Sequence, residues 1–133
     1  MRIVAGTLKN RRIKSREGRE TRPTLERIKE AIFSIIGEKV ADAKFLDLYS
    51  GTGNVSFEAL SRGAKRAIMI EEDREALRII IENVNHLGME DKCRAYKNDV
   101  FRAIEILARK NEIFDIIFLD PPYKENISTK TIE

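Results

Sequence analysis

Residues 120–123 read Asp-Pro-Pro-Tyr and stand directly after the apolar run "IIFL". Two prolines fix φ and remove two amide donors, so this backbone offers carbonyl acceptors with no competing N–H. Asp120 adds a carboxylate, and Tyr123 adds a flat stacking face. Acceptors beside a stacking face fit a planar ring that carries an NH₂ group. A second cluster of chemical interest is "DLYSGTGN", residues 47–54. Gly51 and Gly53 let the backbone turn sharply and approach a ligand, and the amides that open the next helix face that ligand with partial positive charge. The dinucleotide fingerprint requires a third glycine at position 56, where this chain has Ser56. That argues against a nicotinamide or flavin dinucleotide but still leaves a ligand on the loop.

Two acidic residues complete the set. Glu71 closes the run "AIMI", and an acid about 20 positions beyond the glycines is where such folds accept hydrogen bonds from a ribose diol. Glu71 is chosen over its neighbours Glu72 and Asp73, and the competing reading is that all three acids only cap the helix at 74–87. Asp99, in "KNDVF", reads more strongly as the N-cap of the following helix and more weakly as a contact for a ligand's base.

The elements that must position these residues follow from periodicity. "KFLDLY", "RAIMIE", "KCRAYKND" and "FDIIFLD" read as strands. Between them "NVSFEALSRG", "REALRIIIENVNHLG" and "VFRAIEILARK" read as helices, with Gly63 and Gly88 as stops. Strands alternating with helices imply a doubly wound, Rossmann-like α/β fold with a parallel sheet. In such sheets ligands sit beyond the carboxyl ends of the strands, where the strand order reverses. A 3-2-1-4 order makes the glycine loop and Asp120–Tyr123 neighbours. Upstream, "RIVAG" and "TLKNRRIKS" form a candidate β-hairpin. In "RPTLERIKEAIFSIIGE", Pro23 suits a first helical turn, Thr24 a cap and Gly37 a stop. The helix is expected to turn Leu25, Ile28, Ile32, Ile35 and Ile36 inward, which excludes Arg22, Arg27 and Lys29 from its buried face. In the helix at 74–87 the inward set is Leu77, Ile80, Ile81, Val84 and Leu87.

The chain has 133 residues, 42% hydrophobic and 35% charged, with one cysteine. This is a single-domain globular profile with no apolar run long enough for a bilayer and no signal-peptide pattern. Internal disulfides are excluded, which fits a reducing, cytoplasmic setting. The net charge of +3 is unevenly spread: residues 1–22 carry eight Arg or Lys against Glu17 and Glu20. This basic arm on a mildly acidic body (residues 23–133) implies a polyanionic partner. His86 and Cys93 have no ligand cluster around them in sequence and receive no role.

"DLYSGTG" with "DPPY" resembles the S-adenosylmethionine-dependent methyltransferases of exocyclic amino groups. "RIVAGTLKNRRI", "TRPTLERIKEAIFSII", "GTGNVSFEALSRGA" and "IEEDREAL" resemble, in the same order, the bacterial small-subunit ribosomal RNA guanine-N2 methyltransferase family. The resemblance runs from residue 2 to 123. Members of that family continue beyond the tetrad, so this chain is expected to be incomplete at its C-terminal end and to leave the fourth strand as a bare edge.

The resemblance implies methyl transfer from S-adenosylmethionine to a guanine N2 of ribosomal RNA, with no metal and no membrane. It implies a catalytic group of Asp120, Pro121, Pro122 and Tyr123, and a cofactor site of Asp47, Tyr49, Ser50, Gly51, Thr52, Gly53, Glu71 and Asp99. With that function, Arg11, Arg12, Lys14, Arg16, Arg19 and Arg22 of the arm contact RNA phosphates. Two other readings share these features: a DNA adenine-N6 methyltransferase, and a cofactor-binding fragment without catalysis.

Overall fold

The computed structural model describes residues 1–15 and 23–121. Its strands are β1 (Lys44–Leu48), β2 (Arg66–Glu71), β3 (Cys93–Lys97) and β4 (Ile116–Leu119). They form one parallel sheet in the order β3-β2-β1-β4. Helices α2 (Asn54–Ser61), α3 (Arg74–Leu87) and α4 (Val100–Arg109) connect successive strands. Helix α1 (Pro23–Ile36) precedes them and runs into a short 3-10 turn, Gly37–Val40.

Strand alternation sends side chains to two faces. Phe45, Ala67, Met69 and Cys93 pack with Phe33, Phe57, Leu60, Ile80 and Leu87 on one face. Leu46, Leu48, Ile68 and Ile70 pack with Val100 and Ala103 of α4 on the other. The expected doubly wound arrangement is therefore present, with its reversal point between β1 and β4. β4 ends the sheet among the described residues, and Ile117 is 60% exposed there.

The N-terminal hairpin closes on one antiparallel bridge, Arg2 with Arg12. Ile3 and Ile13 are buried in the same core as Phe45 and Phe57, which anchors the segment. It also lies hard against the end of α2: Thr7 N donates to Ser61 O at 2.8 Å, and Leu8 N donates to Ser61 Oγ at 2.9 Å. Gly6, at φ +91°, is required at this crossing, because a Cβ there would stand 2.0 Å from the Ser61 carbonyl oxygen.

The sequence expectation for α1 is corrected. The helix begins at Pro23, so Thr24 lies in its first turn and does not cap it. The inward face carries Lys29 and Phe33, with Ile32 and Ile36 partly buried, while Ile28 and Ile35 face out, Ile35 at 86% exposure. Lys29 is enclosed because Glu58 is enclosed opposite it, their charged atoms 2.9 Å apart. A buried carboxylate needs a cation and donors, and that demand rotates the helix face. In α3, Ile81 is exposed and Asn83 takes an inward position. Gly88 closes that helix in the left-handed conformation, as expected.

Candidate active site

Strand register assembles the site. Leu48 pairs with Leu119 on one side and with Ile70 on the other. The next residue on each strand, Tyr49, Asp120 and Glu71, therefore stands at the same level of the carboxyl edge, with strands about 4.8 Å apart. Asp120 is exposed there and Pro121 half-buried. Pro122 and Tyr123 lie outside the described residues, as do Arg16, Arg19 and Arg22.

The loop from Tyr49 to Gly53 is tightly held. Tyr49 has φ +61°, a left-handed conformation that costs a bulky residue about 1–3 kcal/mol. The surroundings impose it: Ser50 N donates to Ile70 O at 3.0 Å, and Gly53 N donates to Ser50 O at 2.9 Å. Gly51 N donates to Glu71 Oε1 at 2.7 Å, while Asp73 N donates to Glu71 Oε2 at 2.9 Å. Glu71 thus braces the loop from the neighbouring strand. At Gly53 a side chain would meet the Phe57 ring at 2.5 Å, whereas a Cβ at Gly51 would enter open space. The two glycines serve different ends, one packing against the core and the other leaving the rim of the loop clear.

Asp47 lies beneath this loop, 1% exposed, and its Oδ2 accepts from Ser56 Oγ at 2.6 Å. Ser56, the residue that breaks the dinucleotide spacing, is therefore the polar partner of a buried acid, a role that the sequence reading missed. Burial pushes the Asp47 carboxyl up to about 7; the Ser56 hydroxyl opposes the rise, and the charges of Glu71 and Asp120 add to it. The residues gathered here are thus three carboxylates, and among the described residues none of them forms an ion pair with a basic side chain. Among the described residues no three or more His, Cys, Asp or Glu side chains are arranged to hold a metal ion.

A pH effect follows. A folded-state value raised from 3.8 to about 7 means that the neutral acid stabilises the fold fully below pH 3.8 and ceases to as pH rises through 7. Between pH 6 and 8 the ligand-free chain should lose about 1.4 kcal/mol from this group. Asp47→Asn should flatten that part of a stability–pH profile measured by urea unfolding. Parallel slopes in the two proteins would remove Asp47 as the cause.

The remaining candidates divide. Asp99 is the N-cap of α4, its side chain accepting from Phe101 N at 3.4 Å, and it is exposed. Arg11 donates to His86 O at 3.0 Å, and Lys14 pairs with Glu82 at 2.7 Å, so both hold the arm to α3. Arg12 is exposed. Cys93 is buried, and burial first, then Glu90, pushes its thiol up to about 11, too high for a reactive thiolate. No helix among the described residues is long and apolar enough to cross a membrane.

Comparison with known proteins finds a family described as Conserved hypothetical protein 95 matching residues 1–133. The Bacillus subtilis (strain 168) protein YlbH, provisionally named an rRNA methyltransferase, is 39% identical over 125 residues, spanning 94% of this chain and 68% of its own length. Ribosomal RNA small subunit methyltransferase D of Escherichia coli (strain K12) is 32% identical, spanning 99% of this chain and 65% of its own length. The solved structure of Escherichia coli yhhF, provisionally described as a methyltransferase, has a TM-score of 0.82 at 32% identity, covering 99% of this chain and 70% of that one. The chain thus spans about two thirds of the length of these relatives.

Proposed function

The chain belongs to the Conserved hypothetical protein 95 family, and from that premise we propose that it binds S-adenosylmethionine and methylates the exocyclic N2 of a guanine in small-subunit ribosomal RNA. The observation that carries this reading is the register that sets Asp120 and Pro121 beside the glycine loop, at the reversal point of the sheet.

The residues present fit such a cofactor. Gly51 leaves the loop rim open, and the Glu71 carboxylate beside the loop, with Asp47 beneath it, favours a cationic ligand. Glu71, Gly51, Thr52 and Tyr49 would hold it, with Asp47 acting from below and Asp99 at the third strand's end. When bound, S-adenosylmethionine supplies an electrophilic methyl on a positively charged sulfur. An aryl amine is a poor nucleophile because its lone pair is delocalised into the ring. Asp120 and the Pro121 carbonyl accept its two N–H bonds, leave the lone pair directed outward, and stabilise positive charge as it develops on nitrogen. Tyr123 offers a stacking face to the base, which must leave its helix to reach the site.

The arm supplies charge to this reading. Arg12, exposed and free of the α3 contacts that hold Arg11 and Lys14, faces the RNA backbone. Substituting Arg12→Ala should lower the slope of log affinity against log salt by about 0.7–0.9 on small-subunit ribosomal RNA. A slope unchanged within error assigns RNA binding to other residues.

Turnover itself is tested by incubating the protein with S-adenosylmethionine and small-subunit ribosomal RNA, then digesting to nucleosides for mass analysis. The expected product is N2-methylguanosine. N6-methyladenosine, from RNA or a parallel DNA reaction, would move the activity to adenine. Cofactor binding by calorimetry without any product would reduce the chain to a binding fragment.

A further inference from the structure

Asn83 is 1% exposed on the inner side of α3, at a position where the helical pattern otherwise puts apolar residues. Its side-chain amide is used on two separate segments. Oδ1 accepts from Lys14 N at 2.8 Å, and Nδ2 donates to Lys14 O at 3.0 Å, so both backbone groups of one arm residue are gripped. Nδ2 also donates to Thr52 O at 3.2 Å, on the glycine loop. Both amide hydrogens are therefore committed, one to the basic arm and one to the loop. Lys29 makes a separate link farther out, its ammonium donating to Arg2 O at 2.9 Å and to Asn54 Oδ1 at 2.8 Å, at the start of the arm and the helix end of the loop. Ile13, buried next to this point, and the outer contacts Arg11 to His86 O and Lys14 to Glu82 fix the arm on the same helix.

We propose that Asn83 is a positioning residue that couples the RNA-binding arm to the cofactor loop, so that occupation of either site favours the other. The inference rests on the function proposed above. Its physical basis is that a buried amide leaves either partner unsatisfied if the other shifts. If Lys14 moves away, the buried Asn83 amide loses the partners of Oδ1 and of one hydrogen, and turning to satisfy them elsewhere pulls its other hydrogen off the Thr52 carbonyl. Buried polar groups without partners are costly, so the two segments settle together. Coupling of this kind is reciprocal: RNA tightens cofactor binding by the factor by which cofactor tightens RNA binding.

The first test uses the unaltered protein. S-adenosylhomocysteine is added, and amide hydrogen exchange is followed at Lys14, whose N–H donates to Asn83 and not to the loop. The expected result is slower exchange at Lys14 as well as at residues 50–53. Protection of the loop with no change at Lys14 overturns the proposal and leaves the cofactor reading standing. Absence of any binding overturns the cofactor reading instead, and the coupling with it. The second test measures S-adenosylhomocysteine affinity with and without saturating small-subunit ribosomal RNA at fixed salt. RNA should tighten binding at least about 5-fold in the unaltered protein, and by less than about 2-fold in Asn83→Ala. A merely structural role would weaken both affinities and leave their ratio intact, and an unchanged ratio in the variant therefore counts against the proposal. If Asn83→Ala fails to fold, the exchange measurement on the unaltered protein decides.

Discussion

Asp120→Ala is expected to lower methyl transfer to small-subunit ribosomal RNA by about 100- to 1000-fold, the range seen when one preorganised electrostatic group is removed from an active site. Cofactor affinity should change little, because the groups that shape the loop are Glu71, Ser50 and Asn83, and none of them bonds to Asp120. The reason for so large an effect is position. Asp120 directly follows a strand whose pairing with β1 sets it beside Tyr49, so its carboxylate is held at the rim by the sheet itself and does not have to find the amine by diffusion. Asp120→Asn separates the contributions: it retains an acceptor oxygen and loses the charge. An intermediate rate in that variant means that orientation and charge both contribute. Full turnover by Asp120→Ala, read as radiolabelled methyl incorporated per enzyme, would dismiss the proposed role altogether.

The second large effect is on the fold. Glu58 is fully buried and accepts from Val4 N at 2.9 Å, Ala5 N at 3.1 Å, Lys29 Nζ at 2.9 Å and Arg62 Nε at 2.8 Å. Glu58→Ala strands the Lys29 ammonium, itself 2% exposed, with the Arg2 carbonyl and Asn54 Oδ1 as its remaining partners among the described residues. Leaving a buried charge unpaired costs about 3–5 kcal/mol, against a total stability of roughly 5–15 kcal/mol for a domain. Urea unfolding should show the loss. Because two of the four donors to Glu58 are backbone amides of the first strand-like segment, limited proteolysis should cut residues 4–9 sooner in the variant. A loss below about 1 kcal/mol would mean that water or rearrangement satisfies Lys29, and that the pair matters little. Acid acts on the same group. Burial opposes its charge, but the Val4 amide, Arg62 and Lys29 outweigh burial and hold the Glu58 carboxyl below its ordinary value. Its contribution is therefore present above pH 4.5 and is lost as pH falls through the lowered value.

These two residues mark how far the site was legible in sequence. The place of Asp120 was readable because its signal is local: an acid and two prolines closing an apolar run at the end of a strand. The places of the glycine loop and Glu71 were legible for the same reason, and the structure adds that Glu71 binds the Gly51 amide directly. Glu58, Lys29 and Asn83 gave no such signal. Each is an ordinary polar residue within a helix, and its partner lies far along the chain: Glu58 meets Val4, Lys29 meets Glu58, and Asn83 meets Lys14. Periodicity assumes that polar residues face water, so it turned α1 the wrong way and put Ile81 inside.

What the sequence by itself determined is the order and kind of the elements, the parallel sheet, and the short motifs that stand at strand ends. Strand and helix periods, turn residues and stiff prolines act within a few positions and need no distant partner. What only the tertiary structure decided is which polar side chains are buried, how the basic arm is tied to α3 and the loop, and that a carboxylate lies protonatable beneath the glycines. Burial of a charge or an amide is favourable only when specific donors and acceptors converge on it, and that convergence exists only once the chain has folded.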